Sequence, residues 1–115
     1  MHKGDIVLVS FPFTDFSGYK IRPALVLYVS SRDVILSFIT SQIQVHDTFD
    51  VLVTPSTENK LKKTSLIKLS KCVTVDKRIM LGLLGTLEKE NIELINSKLI
   101  KLFELSVSSV SQQVM

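Results

Sequence analysis

Gly4-Asp5-Ile6-Val7-Leu8-Val9-Ser10-Phe11-Pro12-Phe13-Thr14-Asp15, followed within ten residues by Arg22-Pro23-Ala24-Leu25-Val26-Leu27, sets the fold of this chain. Ile6 to Phe11 is short, β-branched and bounded by Gly4 and Pro12, which predicts a strand. Ala24 to Val29 is nearly all apolar, which predicts a second strand buried on both faces. Phe13 to Ile21 reads as the loop between them, with Asp15, Ser17 and Gly18 as turn formers. Pro23 fixes its own φ and pushes Arg22 toward extended geometry, so the arginine is held at a strand entrance beside that loop. A permanently charged planar fork in such a place suits gripping phosphate or carboxylate.

Outward from this core the pattern continues. Ser30-Ser31-Arg32-Asp33 reads as a tight turn, and Val34 to Thr40 as a third strand in a hairpin with the second. Ser41 to Thr48 is polar and reads as a loop. Phe49 to Val53 reads as a short strand closed by Thr54-Pro55-Ser56, and Thr57 to Lys63 as a charged connection. Ser65 to Val75 predicts a longer strand with room for a bulge. Ile79 to Leu87 is apolar but carries two glycines, and its state stays open. The last element is a helix from about Leu87 to Leu105, with Thr86 as N-cap and Glu88 and Glu90 facing the positive end of the dipole. Ile92, Ile95, Leu99, Leu102 and Phe103 form its apolar stripe.

Short strands followed by one helix predict a mostly β fold. The expected form is a small, largely antiparallel barrel or curled sheet with a C-terminal helix packed on it. Residues 1–105 are expected to be a single domain, with 106–115 as a frayed tail. Open edges and an uncovered apolar face suit a homodimer.

The chain has 115 residues, 45% of them hydrophobic, and a mean hydropathy of +0.31, which argues against disorder. No apolar run reaches the ~18 residues that span a bilayer. The run after Met1-His2-Lys3-Gly4-Asp5 is too short for a signal peptide, and Cys72 has no internal disulfide partner. These features predict a soluble cytoplasmic protein. Net charge is +3, unevenly distributed. Residues 60 to 78 hold Lys60, Lys62, Lys63, Lys68, Lys71, Lys77 and Arg78 against Asp76 alone. A concentrated patch of this kind attracts an anionic partner; a solvated lysine face is the competing reading.

Several chemistries are not supported. There is no Gly-rich phosphate loop and no dinucleotide fingerprint. Cys72, His2 and His46 lack metal-ligand spacing. Cys72 within an apolar strand reads as core, and His46 as a solvent-exposed loop side chain able in principle to act as acid or base.

An ordered set of blocks carries a resemblance. It comprises Gly4 to Val9, Phe11-Pro12-Phe13-Thr14-Asp15, Arg22 to Leu27, Ile39-Thr40-Ser41-Gln42 and Thr74-Val75-Asp76-Lys77. In that order and spacing the chain, over about residues 4 to 105, resembles the MazF/PemK-like toxins of type II toxin–antitoxin systems. The resemblance implies an SH3-like barrel of the CcdB/MazF type, a homodimer, and an endoribonuclease (mRNA interferase) that cleaves single-stranded mRNA without metal or other cofactor. It also implies an acidic cognate antitoxin covering the active groove.

Such cleavage uses the ribose 2′-hydroxyl as nucleophile and leaves a 2′,3′-cyclic phosphate and a 5′-hydroxyl. It needs a proton acceptor, a stabiliser for the phosphorane and a proton source for the leaving oxygen. By the resemblance, Arg22 and Thr40 are the catalytic residues: Arg22 binds phosphate oxygens and Thr40 holds a phosphate oxygen or the 2′-hydroxyl. Thr14, Asp15, Ser17, Tyr19, Lys20, Ser41, Gln42, Lys68 and Lys71 are the expected RNA-binding residues. Phe13, Phe16 and Tyr19 are aromatic groups near the groove able to stack on bases, with core packing as the alternative for Phe13.

Two positions depart from better-studied members. Where some carry an arginine and, two positions on, a carboxylate, this chain has Lys68 and Ser70. Lys68 keeps the charge but not the planar fork, and Ser70 cannot act as a carboxylate base. Asp15, Asp76 and His46 are the candidate bases. Two alternatives of other classes remain: a CcdB-like non-enzymatic gyrase inhibitor, and a barrel that binds RNA with weakened or lost cleavage.

Overall fold

The computed structural model describes residues 1–12 and 19–106, with Phe11, Pro12 and Tyr19 described by backbone alone. Six strands form one antiparallel sheet: β1 (Asp5–Pro12), β2 (Tyr19–Val29), β3 (Asp33–Thr40), β4 (Asp50–Val53), β5 (Ser65–Asp76) and β6 (Met80–Thr86). A 3-10 turn at Lys77–Ile79 joins β5 to β6, and one helix, α1 (Lys89–Leu102), follows. The strand order is β4-β5-β3-β2-β1-β6. The segment open in the sequence is therefore a strand, pairing with β1 through two register shifts.

The sheet curls on itself. Thr86 at the end of β6 donates its N–H to the Glu58 carbonyl, beyond β4, at 2.9 Å. A Cβ added at Gly85 would lie 2.5 Å from the Asn59 carbonyl oxygen, so only glycine permits that approach. The connection after β4 thus bridges toward β6, but β4 and β6 do not pair, so the sheet is curled rather than a closed barrel, one of the two forms expected from sequence.

Alternation along the strands divides the buried residues between two faces. Ile6, Leu25, Ile39, Ile67 and Leu69 point inside the curl, where Ile95 of α1 completes the core, with Ile92, Leu99 and Leu102 packed against it. Val7, Val9, Ala24, Val26, Val34 and Leu36 form a second buried cluster on the other face. β2 is buried on both sides from Ala24 to Val26 only; Leu27 and Val29 are half-buried and Tyr28 is exposed, so the burial expected as far as Val29 stops short. Cys72, expected in the core, is only half-buried, in a cleft against α1.

The helix departs from expectation at both ends. It begins at Lys89, with Glu88 as N-cap residue. Thr86 does not cap it, because Thr86 belongs to β6 and its hydroxyl donates to Asp5 Oδ1 at 3.2 Å. Phe103 is the C-cap and is 56% exposed, so it lies off the core stripe. The Glu88 carboxylate instead accepts bonds from Ser56 Oγ and from the Asn59 and Asn91 amides. Burial pushes its pKa up, but these donors outweigh that and hold it below the ordinary glutamate range.

Candidate active site

β1 and β2 pair Val9 with Arg22 and Leu8 with Pro23, so Arg22 is extended, as the sequence requires, but it lies inside the ladder rather than at a strand entrance, because β2 begins at Tyr19 within the stretch read as loop. β2 and β3 pair Ala24 with Phe38. Arg22 and Thr40 lie two residues beyond that pair in their strands, at the same end of the sheet and on the same face. Arg22, Thr40, Gln42, Asp47, Lys68 and Lys71 line one cleft of about 560 Å³ at this end.

Thr40 is oriented locally. Its Oγ1 accepts the Gln42 N–H at 3.1 Å, closing a hydroxyl turn at the end of β3. That bond occupies an acceptor position and leaves the hydroxyl proton available to donate into the cleft.

Lys68 takes a different place from an open phosphate-binding lysine. The register pairs it with Phe38 on one side and Asp50 on the other. Its Nζ lies 2.7 Å from Asp50 Oδ2 and 3.6 Å from Asp47 Oδ2. Asp50 is buried; its Oδ2 also accepts the Asp47 N–H at 2.8 Å, while Oδ1 is buried without a partner among the described residues. Burial raises the Asp50 pKa, but the Lys68 hydrogen bond and the Asp47 N–H outweigh it, and the net shift is downward. The same hydrogen bond, opposed by burial, raises Lys68. Both groups are held charged. With Lys98 Nζ donating to the Thr48 carbonyl at 3.1 Å, the pair fastens the loop of residues 41–49 at the cleft.

Between Ser37–Cys72 and Phe38–Lys68 the β3–β5 ladder skips Leu69, Ser70 and Lys71. This is the bulge that the long apolar run allowed, and it turns exposed Lys71 toward the cleft. Lys20 and Ser41 lie in an adjoining cavity of about 620 Å³ that shares Arg22 and Ile39 with the first. Thr14, Asp15 and Ser17 lie outside the described residues, as do Phe13 and Phe16, and the Tyr19 side chain is not described.

Of the candidate bases, Asp76 is paired with Asp33 at the opposite end of β3 and bonded to Arg78 at 3.0 Å, which lowers its pKa. The structure does not bring it to Arg22. His46 is an exposed loop residue, as read from sequence. Among the described residues Asp47 is the carboxylate that lines the cleft, and sequence reasoning missed it: it sits in a polar loop with no local motif, and only the pairing of β4 with β5 brings it to Lys68. Among the described residues no group of three His, Cys, Asp or Glu side chains is arranged to hold a metal ion, and no helix is long and apolar enough to cross a membrane.

Solved structures share this architecture. An endoribonuclease in complex with its cognate antitoxin from a mycobacterial species aligns with a TM-score of 0.72 at 16% identity, covering 94% of this chain and 99% of that one. The Mycobacterium tuberculosis toxin MazF-mt6 aligns at 0.73 and 18% identity, covering 90% and 99%. The MazE–MazF complex of Deinococcus radiodurans aligns at 0.70 and 21% identity, covering 92% and 97%. At these identities the likeness concerns the fold. No curated protein matches the chain at a significant level. The model of the PemK-like, MazF-like toxins of type II toxin–antitoxin systems matches residues 2–103, and the chain belongs to that family.

Proposed function

We propose that this family member is a toxin endoribonuclease that cuts single-stranded mRNA by 2′-hydroxyl attack without a metal, and that a cognate acidic antitoxin neutralises it. The observation that carries the reading is the convergence of Arg22, Thr40 and Asp47 in one cleft flanked by Lys68 and Lys71. The Arg22 guanidinium grips two non-bridging oxygens and stabilises the charge that builds on the phosphorane. The Thr40 hydroxyl donates to a phosphate oxygen. Asp47 accepts the 2′-hydroxyl proton, a task its carboxylate can perform and Ser70 cannot. The 2′ oxygen bonds to phosphorus, the bond to the 5′ oxygen breaks, and that oxygen leaves with a proton from water in the open cleft. Gln42, Ser41, Lys20 and Lys71 hold the flanking nucleotides. Lys68 acts chiefly by fixing the loop that presents Asp47.

A homodimer accompanies this reading. β6 is an edge strand whose Leu81 and Leu83 are 55% and 64% exposed, an apolar edge suited to a second copy. The similar folds include toxins in complex with their antitoxins, which supports a cognate antitoxin as partner here.

The ion-paired Lys68, unavailable as an open phosphate ligand, favours one further reading, an RNA-binding protein with lost cleavage. One experiment separates them. A long single-stranded RNA is incubated with the chelator-treated protein and the ends are mapped. Discrete cuts bearing 2′,3′-cyclic phosphates support the nuclease; intact RNA that is nonetheless bound supports the binder.

A further inference from the structure

We infer that Lys60, Lys62 and Lys63 form a second anion subsite, which binds the sugar–phosphate backbone of single-stranded RNA flanking the cleavage point. The inference rests on Arg22 as the phosphate-gripping centre and extends the RNA path beyond it.

The connection between β4 and β5 is built as a rigid ledge. Asn59 is fully buried: its Oδ1 accepts the Ser56 and Leu61 N–H groups at 3.0 and 2.9 Å, and its Nδ2 donates to the Thr54 carbonyl at 2.9 Å. Leu61 is 7% exposed and anchored in the main core. Thr86 bonds the Glu58 carbonyl from β6. Lys60 is locked between these anchors at φ 56°, a left-handed conformation that is costly for a lysine and persists only where its surroundings impose it.

The ledge carries three exposed ammonium groups. None of Lys60, Lys62 and Lys63 makes a side-chain ion pair or hydrogen bond among the described residues, in contrast to Lys68 and Lys98. All three line the cavity of about 620 Å³, and among the described residues Lys20 and Arg22 are its other cations and no carboxylate lines it. Arg22 and Ile39 also line the catalytic cleft. Alternation puts Thr40 on one face of the strand ends and Ile39 and Pro23 on the other, so Arg22 stands at the rim between two basic cavities. A chain whose scissile phosphate lies at Arg22 runs into Lys68 and Lys71 on one side of the rim and onto the lysine ledge on the other. That geometry suits the regularly spaced phosphates of a single-stranded RNA, one of which the proposed reaction already places at Arg22, and an acidic peptide on the ledge is the competing outcome that the test separates.

The test compares the unmodified protein with Lys60→Asn/Lys62→Gln/Lys63→Gln, in which asparagine tolerates the left-handed backbone at position 60. The binding probe is a labelled 2′-O-methyl RNA of about 12 nucleotides, which lacks the attacking hydroxyl and stays whole. Affinity is measured across a salt series. The variant is expected to bind about tenfold more weakly, with a log–log salt slope shallower by about 2, since each lost phosphate contact on a single strand removes ~0.7. Lys→Arg at the three positions restores the slope. Cutting of a dinucleotide substrate, whose single phosphate sits at Arg22 and carries no flanking backbone onto the ledge, is expected to stay at the unmodified rate. An unchanged slope overturns the inference, as does a variant that loses only an acidic peptide while keeping RNA. Absent cutting by the unmodified protein refutes the nuclease reading alone, because the slope reports the ledge independently.

Discussion

The Lys68 ammonium lies 2.7 Å from the Asp50 carboxylate, across directly paired positions of β5 and β4, and the Asp50 side chain is fully buried. Removing Lys68 leaves Asp50 as an uncompensated buried charge, at a cost on the order of 3 kcal/mol, while removing Asp50 leaves Lys68 only the more distant Asp47 at 3.6 Å. Lys68→Met and Asp50→Leu are each expected to destabilise strongly, whereas the double variant costs clearly less than their sum. Denaturant titration of the four proteins measures the coupling. Strictly additive costs would show that the pair does not act as a unit.

The same pair sets a pH window. The Asp50 pKa is lowered in the fold, so its contribution is present above the unfolded aspartate value of about 3.9 and lost as pH falls through the lower folded value. The Lys68 pKa is raised, so its contribution is complete below the unfolded lysine value of about 10.4 and lost as pH rises through the higher folded value. Stability from this pair is therefore flat at neutral pH and falls off in acid and in strong base. Asp50→Asn should flatten the acid limb of a stability–pH curve. An acid limb identical to that of the unmodified protein would assign the loss to other carboxylates.

Gly85 seals the curl. A methyl there would meet the Asn59 and Glu58 carbonyl oxygens at 2.5 and 2.6 Å, which is backbone that cannot move aside cheaply. Gly85→Ala is expected to cost about 2–3 kcal/mol as an overpacking change. Gly82→Ala, where nothing lies within 4 Å, is expected to be much milder. Comparing the two midpoints of thermal unfolding checks the seam, and equal effects would contradict it.

Much of this was legible in the residues themselves. Val and Ile runs bounded by Gly, Pro and Ser marked five strands, and Arg22 before Pro23 fixed the central cation. What escaped was set by distant partners. β6 hid because Gly82 and Gly85 interrupt it and Leu81 and Leu83 face outward, so no buried alternation shows. Thr86 reads as a cap until Asp5, far away in sequence, takes its hydroxyl. Lys68 reads as a ligand for phosphate until β4 brings Asp50 against it, and Asp47 gains its place only through that same contact.

The Arg22 guanidinium, carried within β2 opposite Val9 of β1, is the centre of the account, and its removal is the most direct test. Arg22→Ala is expected to slow single-turnover cleavage of single-stranded RNA by on the order of 10²-fold or more, with the fold intact by circular dichroism and thermal melting. A well-folded Arg22→Ala protein that cuts as fast as the unmodified one would contradict the mechanism.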